Sequence, residues 1–267
     1  MPITLLSLFA IAGYLVATIL LALPIARLPA PARGMALVLA SLSVLTHALL
    51  IFGMHRGGLD LHFFASLSLT ALGVAALTLI VNLFRPVAAL GVLVFPMAAV
   101  LLGVDVFLAE ETAPLAMEWQ IKLHVSVALL AYSLLSIAAL LAILLALQER
   151  ALRRHKLDSG LIRALPPLTM TESLLFRLIG VGFVFLTLTL VTGVLFVDDL
   201  FGQHLAHKTL LSIASWVVFG LLLFGRWRWG WRGGRAVRLT LIGMLVLLLA
   251  FFGSKFVLEM VLQRPPA

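Results

Sequence analysis

A chain of 267 residues that is 63% hydrophobic and 11% charged is too apolar for a water-soluble domain, which carries about 45–50% apolar and about 25% charged residues. Its net charge of +8 lies in short segments between apolar runs, which excludes a nucleic-acid-binding domain and fits the loop asymmetry that orients membrane proteins. The absence of cysteine excludes disulfides, thiolate chemistry, cysteine-ligated zinc and iron–sulfur clusters.

A bilayer-spanning helix needs roughly 20 apolar residues, and the sequence supplies about eight such runs. The first covers residues 4–23 and ends at Pro24 and the Arg27–Pro31 turn. It has no basic segment before it and no convincing cleavage site, so it reads as a retained helix rather than a signal peptide. The second to fifth runs cover 35–54, 62–81, 86–108 and 121–147. A polar linker, 148–172, follows. The last three runs cover 174–196, 209–225 and 236–258. All are continuously apolar and too long for barrel strands, which alternate and need only about 10 residues. The fold expected is all-α, a polytopic integral membrane protein. The segments between runs are too short to hold a core of their own, so 1–267 reads as a single transmembrane domain.

Charge gives an expected orientation. The odd-numbered loops carry Arg27 and Arg33, then Arg85, then Arg150, Arg153, Arg154, Lys156 and Arg163, then Arg226, Arg228, Arg232, Arg235 and Arg238. The even-numbered loops carry Asp60, Glu110, Glu111, Glu118, Asp198 and Asp199. The positive-inside rule puts the odd loops in the cytoplasm and both termini outside. The stretch from Arg226 to Arg232 alternates arginine with Trp227, Trp229 and Trp231. It reads as an interfacial aromatic belt with cationic anchors on anionic lipid.

Histidine is the informative polar residue. Of seven, His155 falls in the basic linker, and His47, His55, His62, His124, His204 and His207 fall toward the outer side. Neutral imidazole binds iron or zinc. Two histidines on separate helices would fill both axial positions of a haem iron, with apolar side chains over the macrocycle. The plainer alternative is an interfacial histidine bonded to water, a carbonyl or a headgroup. His47 lies deepest in an apolar run, where a polar group must find a partner. His124 follows, with Trp119 about a turn before it as an interfacial anchor. His204 and His207 are three apart and share a helix face. With Asp198 or Asp199 they offer an alternative divalent-metal site. No phosphate-binding loop, nucleophile elbow or HExxH is present, so no enzymatic activity is expected. Asp105 is the one acidic residue well inside a predicted helix, little for an ion pathway to use.

Three stretches carry a family resemblance. Thr192-Gly193-Val194-Leu195-Phe196 leads through His207-Lys208-Thr209 to Ser215-Trp216-Val217-Val218-Phe219. Lys122-Leu123-His124-Val125-Ser126 is followed by Ala131-Tyr132, and Phe251-Phe252-Gly253-Ser254 by Phe256-Val257-Leu258. They resemble the cytochrome c assembly membrane-protein family, which includes CcsA-type haem exporters, HemX proteins and YpjD-type inner-membrane proteins. The likeness is clearest over 62–262. The exporters' tryptophan-rich outer loop is replaced by Phe201-Gly202-Gln203-His204-Leu205-Ala206-His207. Their histidine after the final helix is replaced by Leu262-Gln263-Arg264. The chain therefore looks more like the shorter YpjD or HemX branch.

The resemblance implies a bacterial inner-membrane protein that binds or handles haem in cytochrome c biogenesis or haem homeostasis. Its expected partners are the lipid bilayer, haem, and cytochrome c maturation or haem-synthesis proteins. His124 matches the family's histidine-led helix, and His207 matches the outer-loop position. The haem-ligand candidates are His47, His124 and His207, then His204, with His124 and His207 nearest the iron. Two rival readings are a transporter or transport accessory protein, and a scaffold that docks a cytoplasmic partner through the basic linker.

Overall fold

The computed structural model describes residues 2–24, 33–54, 62–84, 87–109, 118–154, 166–196 and 206–261. Among them there is no strand. The helices are α1 (Pro2–Ala22), α2 (Arg33–Met54), α3 (Phe63–Phe84), α4 (Ala88–Leu108), α5 (Trp119–Arg153), α6 (Leu168–Phe196), α7 (Ala206–Trp229) and α8 (Gly234–Leu248). Two π-helical segments, Leu249–Gly253 and Phe256–Val261, continue α8. Among the described residues, eight helices are long and apolar enough to cross a membrane.

Helices form because lipid offers the backbone no hydrogen bonds, so each amide must be satisfied within its own segment. Side-chain hydroxyls obey the same rule. Thr18, Ser41, Thr46, Thr70 and Thr187 each donate to the carbonyl four residues earlier. Large apolar side chains such as Leu5, Phe9, Leu49, Val100 and Leu195 point outward. Facing lipid tails, which are as apolar as leucine, they need no further burial.

The chain packs as two compact units. The first contains α1, α2, α4 and all but the first residue of α3. Here α1 packs against both α2 and α4. Small residues permit the close approach: Ala10, Ala17, Ala40, Ala98 and Ala99 are buried, and a methyl group on Gly91 would sit 2.7 Å from Leu21. Such small-residue seams are the usual device of membrane helix packing.

The second unit contains residues Leu61–Phe63, α5 as far as Glu149, α6, α7, α8 and the π segments. Leu134, Leu135, Ile137, Ala138, Leu141, Ala142, Leu144 and Leu145 of α5 are all buried. Helix α7 packs on α6 and on α8. Between α6 and α7, Trp216 stacks on Phe183 at 5.4 Å and donates its indole N–H to the Thr187 hydroxyl at 2.9 Å. Between α7 and α8, Ser215 donates to the Gly243 carbonyl at 2.9 Å. The fully buried Phe219 ring lies over Gly243.

Two expectations are corrected. The linker predicted over 148–172 is shorter, because α5 runs on to Arg153 and α6 starts at Leu168. Hydropathy marks where lipid ends, not where a helix ends. The 35 residues of α5 span roughly 52 Å at 1.5 Å each, against a hydrocarbon core about 30 Å thick. Arg150 and Arg153 in its last turn offset the negative end of the helix dipole. The second correction is that the last helix does not stay α-helical over 236–258: it widens at Leu249. At that point the Tyr132 hydroxyl donates to the Leu247 carbonyl at 2.7 Å.

The α7–α8 seam has a direct test. A Cβ at Gly243 would lie 2.9 Å from Phe219 Cζ, whereas one at Gly180 meets nothing within 4 Å. Gly243→Ala is expected to lower unfolding free energy by about 1–3 kcal/mol, as overpacking does. Gly180→Ala should leave it near wild type. Denaturation in detergent micelles measures both, and equal midpoints would disprove the seam.

Candidate functional site

His124 lies in the second turn of α5, half-buried. Its Nδ1 is 2.9 Å from the Thr192 hydroxyl oxygen on α6. That hydroxyl already donates to the backbone, at 2.8 Å from the Leu188 carbonyl with Thr189 O at 3.1 Å. A hydroxyl has one proton to give, so Thr192 accepts here and Nδ1–H donates. The bare nitrogen is then Nε2, the arrangement by which a partner on one ring nitrogen prepares the other for a metal. Gly193, the next residue of α6, faces the ring: a Cβ there would meet His124 Cε1 at 3.4 Å. One turn outward, Trp119 and Phe196 close edge to face at 6.1 Å.

His47 is fully buried in the first unit and has both nitrogens engaged. Nδ1 is 3.3 Å from the Tyr14 hydroxyl and Nε2 is 3.1 Å from the Ser68 hydroxyl. Tyr14 is itself fully buried and stacked on Phe95 at 6.0 Å. The polar group that had to find a partner has found two.

His207 sits exposed in the first turn of α7. It belongs to the same unit as His124, while His47 belongs to the other. Because consecutive spans alternate direction, α5 and α7 begin, and α6 ends, at one end of the second unit. His124, Thr192 and His207 therefore share that end. His62 is half-buried at the start of the second unit. His204, Asp198, Asp199, His55 and His155 lie outside the described residues. Among the described residues, no three His, Asp or Glu side chains gather as a metal cluster.

Two charged constellations escaped the sequence reading. At the end that holds His124, Lys255 Nζ lies 3.2 Å from Glu259 Oε1, both side chains nearly buried. Glu259 Oε2 also accepts from the Phe63 backbone N–H at 2.8 Å. The available signal was a Lys and a Glu four residues apart, the spacing of a helical ion pair, but the apolar run was closed at 258. At the opposite end, Glu172 is buried and pairs with Arg226 at 2.9 Å and Arg232 at 3.8 Å. Arg226 also lies 4.5 Å over the Phe176 ring and donates to the Trp231 carbonyl. The chain turns back there through Gly230 and Gly233, at φ 63° and 54°, a backbone that glycine adopts without strain. Trp231 packs on Gly225 and stacks on Trp229 at 5.6 Å. Trp227 and Trp229 remain exposed, as a belt requires.

These features define a multi-pass, all-helical protein of the inner membrane, with a histidine-bearing end on its second unit. A sequence profile described as Cytochrome C assembly protein matches residues 32–262, and the chain belongs to that family. It is 38% identical over 138 residues to "Inner membrane protein YpjD" of Escherichia coli strain K12, covering 52% of each chain. It is 43% identical over 144 residues to an "Uncharacterized 28.8 kDa protein in nifR3-like 5'region" of Azospirillum brasilense, covering 53% of each. It is 28% identical over 156 residues to "Cytochrome c biogenesis protein CcsA" of Chlamydomonas reinhardtii, covering 56% of this chain and 42% of that one. The match thus spans about half the length of these curated relatives. No solved structure matches the chain.

The His47 contacts predict a graded response. Tyr14→Phe removes one hydrogen bond and should cost about 0.5–1.5 kcal/mol, the range for membrane side-chain bonds. His47→Ala leaves two hydroxyls unpaired and opens a cavity, and should cost about 2–4 kcal/mol. Denaturation in micelles measures both, and a His47→Ala protein as stable as wild type would refute the structural role.

Proposed function

We propose that this protein is a non-catalytic membrane factor of cytochrome c biogenesis that holds haem at the His124 end of its second unit. Family membership supports the biogenesis role. The observation that carries the haem reading is the Thr192 contact, which holds the imidazole through Nδ1 and leaves Nε2 for a metal. When bound, haem would supply a ferric or ferrous iron that accepts imidazole nitrogen.

In this reading His124 would hold the iron first. His207, exposed at the same end, is the second, with His204 its neighbour in sequence as the reserve. His47 keeps a structural part, since Tyr14 and Ser68 occupy both its nitrogens. In the sequence the even-numbered loops are acidic and the odd-numbered loops basic, and on the positive-inside rule this reading opens the site on the outer side.

The experiment is an absorption spectrum of detergent-purified protein, oxidised and then dithionite-reduced, with haemin added. Wild type is expected to show a Soret band and sharp α and β bands on reduction. His124→Ala should lose them and His47→Ala keep them. Thr192→Val, which frees the ring, should weaken haem retention about 10-fold or more, the usual effect of removing a group that orients a metal ligand. A wild-type protein that refuses haemin overturns the proposal.

A further inference from the structure

A cluster of charge sits at the end of the second unit that holds His124, and haem ligation by histidine makes no use of it. Lys208 is half-buried in the first turn of α7. Helix α7 packs on α8 and on the π segment that continues it, so Lys208 shares this end with Lys255 and Glu259. Lys255 is only 6% exposed; it is paired to Glu259 and lies 5.5 Å from the Phe251 ring centroid. Glu259 is committed twice, to Lys255 and to the Phe63 amide. Among the described residues, the group therefore counts two cations against one carboxylate. Lys208 has no hydrogen bond or ion pair there, so the surplus charge is on it.

The walls of this group are aromatic. Phe251 and Phe252 meet edge to face at 5.1 Å, and Tyr132 meets Phe252 the same way at 5.8 Å. Phe63 lies 6.5 Å from Phe252 and 5.7 Å from Phe256. A buried or half-buried cation without a counter-ion is costly in a low-dielectric setting. A ligand carboxylate would relieve that cost, and flat apolar surface on the same ligand would meet rings that favour edge and offset contacts.

We propose that Lys208, braced by the Lys255–Glu259 pair, receives the carboxylate of a flat amphipathic ligand. On the haem reading given above, on which this assignment rests, that group is a porphyrin propionate. Lys208 would then neutralise charge at one point while His124 would hold the iron at another. The two contacts fix the macrocycle's rotation as well as its position.

The test separates the two contacts by removing the iron. Metal-free protoporphyrin IX and its dimethyl ester are titrated into purified full-length protein and followed by porphyrin fluorescence. Wild type is expected to bind the diacid about 10-fold or more tightly than the diester, in line with a hydrogen bond to a charged group. Lys208→Gln should abolish that preference and Lys208→Arg should keep it, with thermal midpoints confirming that both variants fold. His124→Ala should lose haem ligation yet keep the preference for the diacid. Equal binding of diacid and diester by wild type, a preference that survives in Lys208→Gln, or no porphyrin binding at all would each overturn the carboxylate site. An intact preference in a protein that fails to ligate haemin would sink the His124 reading alone. Palmitate displacing the diacid at equal concentration would overturn the aromatic part of the assignment.

Discussion

Inside a bilayer, a polar group has no water to fall back on, and this constraint organises the whole chain. It makes every described span helical and folds the hydroxyls of Thr18, Thr46 and Thr187 onto their own backbones. It also explains why the polar contacts between helices are few and specific. Ser215 on the Gly243 carbonyl and Tyr132 on the Leu247 carbonyl each join two segments whose buried surfaces are mostly apolar. A hydrophobic driving force cannot select among such surfaces in lipid, so small residues and single hydrogen bonds do the selecting.

The same constraint sorts the histidines. His47, deep in α2, is tied off on both sides by Tyr14 and Ser68, which leaves no nitrogen for outside chemistry. His124 is tied on one side, by a hydroxyl whose own proton is already spent. One ring has partners on both nitrogens and the other on one, although the sequence presents both as single histidines within apolar runs. The two ends of the second unit also differ. One holds Arg226, Arg232 and Glu172 beneath an aromatic turn. The other holds His124, Lys208 and the Lys255–Glu259 pair.

The eight spans were legible because a run of about 20 apolar residues has few other uses. The family was legible from Thr192–Phe219 and the segment around His124, and the profile match over 32–262 bears it out. Helix ends were not legible, because Gln148–Arg153 and Leu168–Glu172 are polar enough to read as linker yet stay helical. Glu172 reads as a linker residue for that reason, and its partner Arg226 lies 54 positions away. Tertiary pairs at such separations leave no periodic trace. The Thr192 partner of His124, 68 positions on, was hidden in the same way. The change of coil at Leu249 was hidden too, since a run of leucine and phenylalanine has the same hydropathy in either geometry.

That change of coil has a consequence for inheritance. A π turn is an α-helix carrying one residue too many, closed by bonds of longer reach. The surplus delays the winding, so that whatever follows emerges on a face the preceding stripe of Val237, Thr240, Met244 and Leu247 would not have reached. Two such turns, interrupted by Ser254 and Lys255, aim Glu259. Relatives that gained or lost a single residue here would keep every downstream letter and yet present a different face, so homologous positions beyond Leu249 need not be equivalent ones.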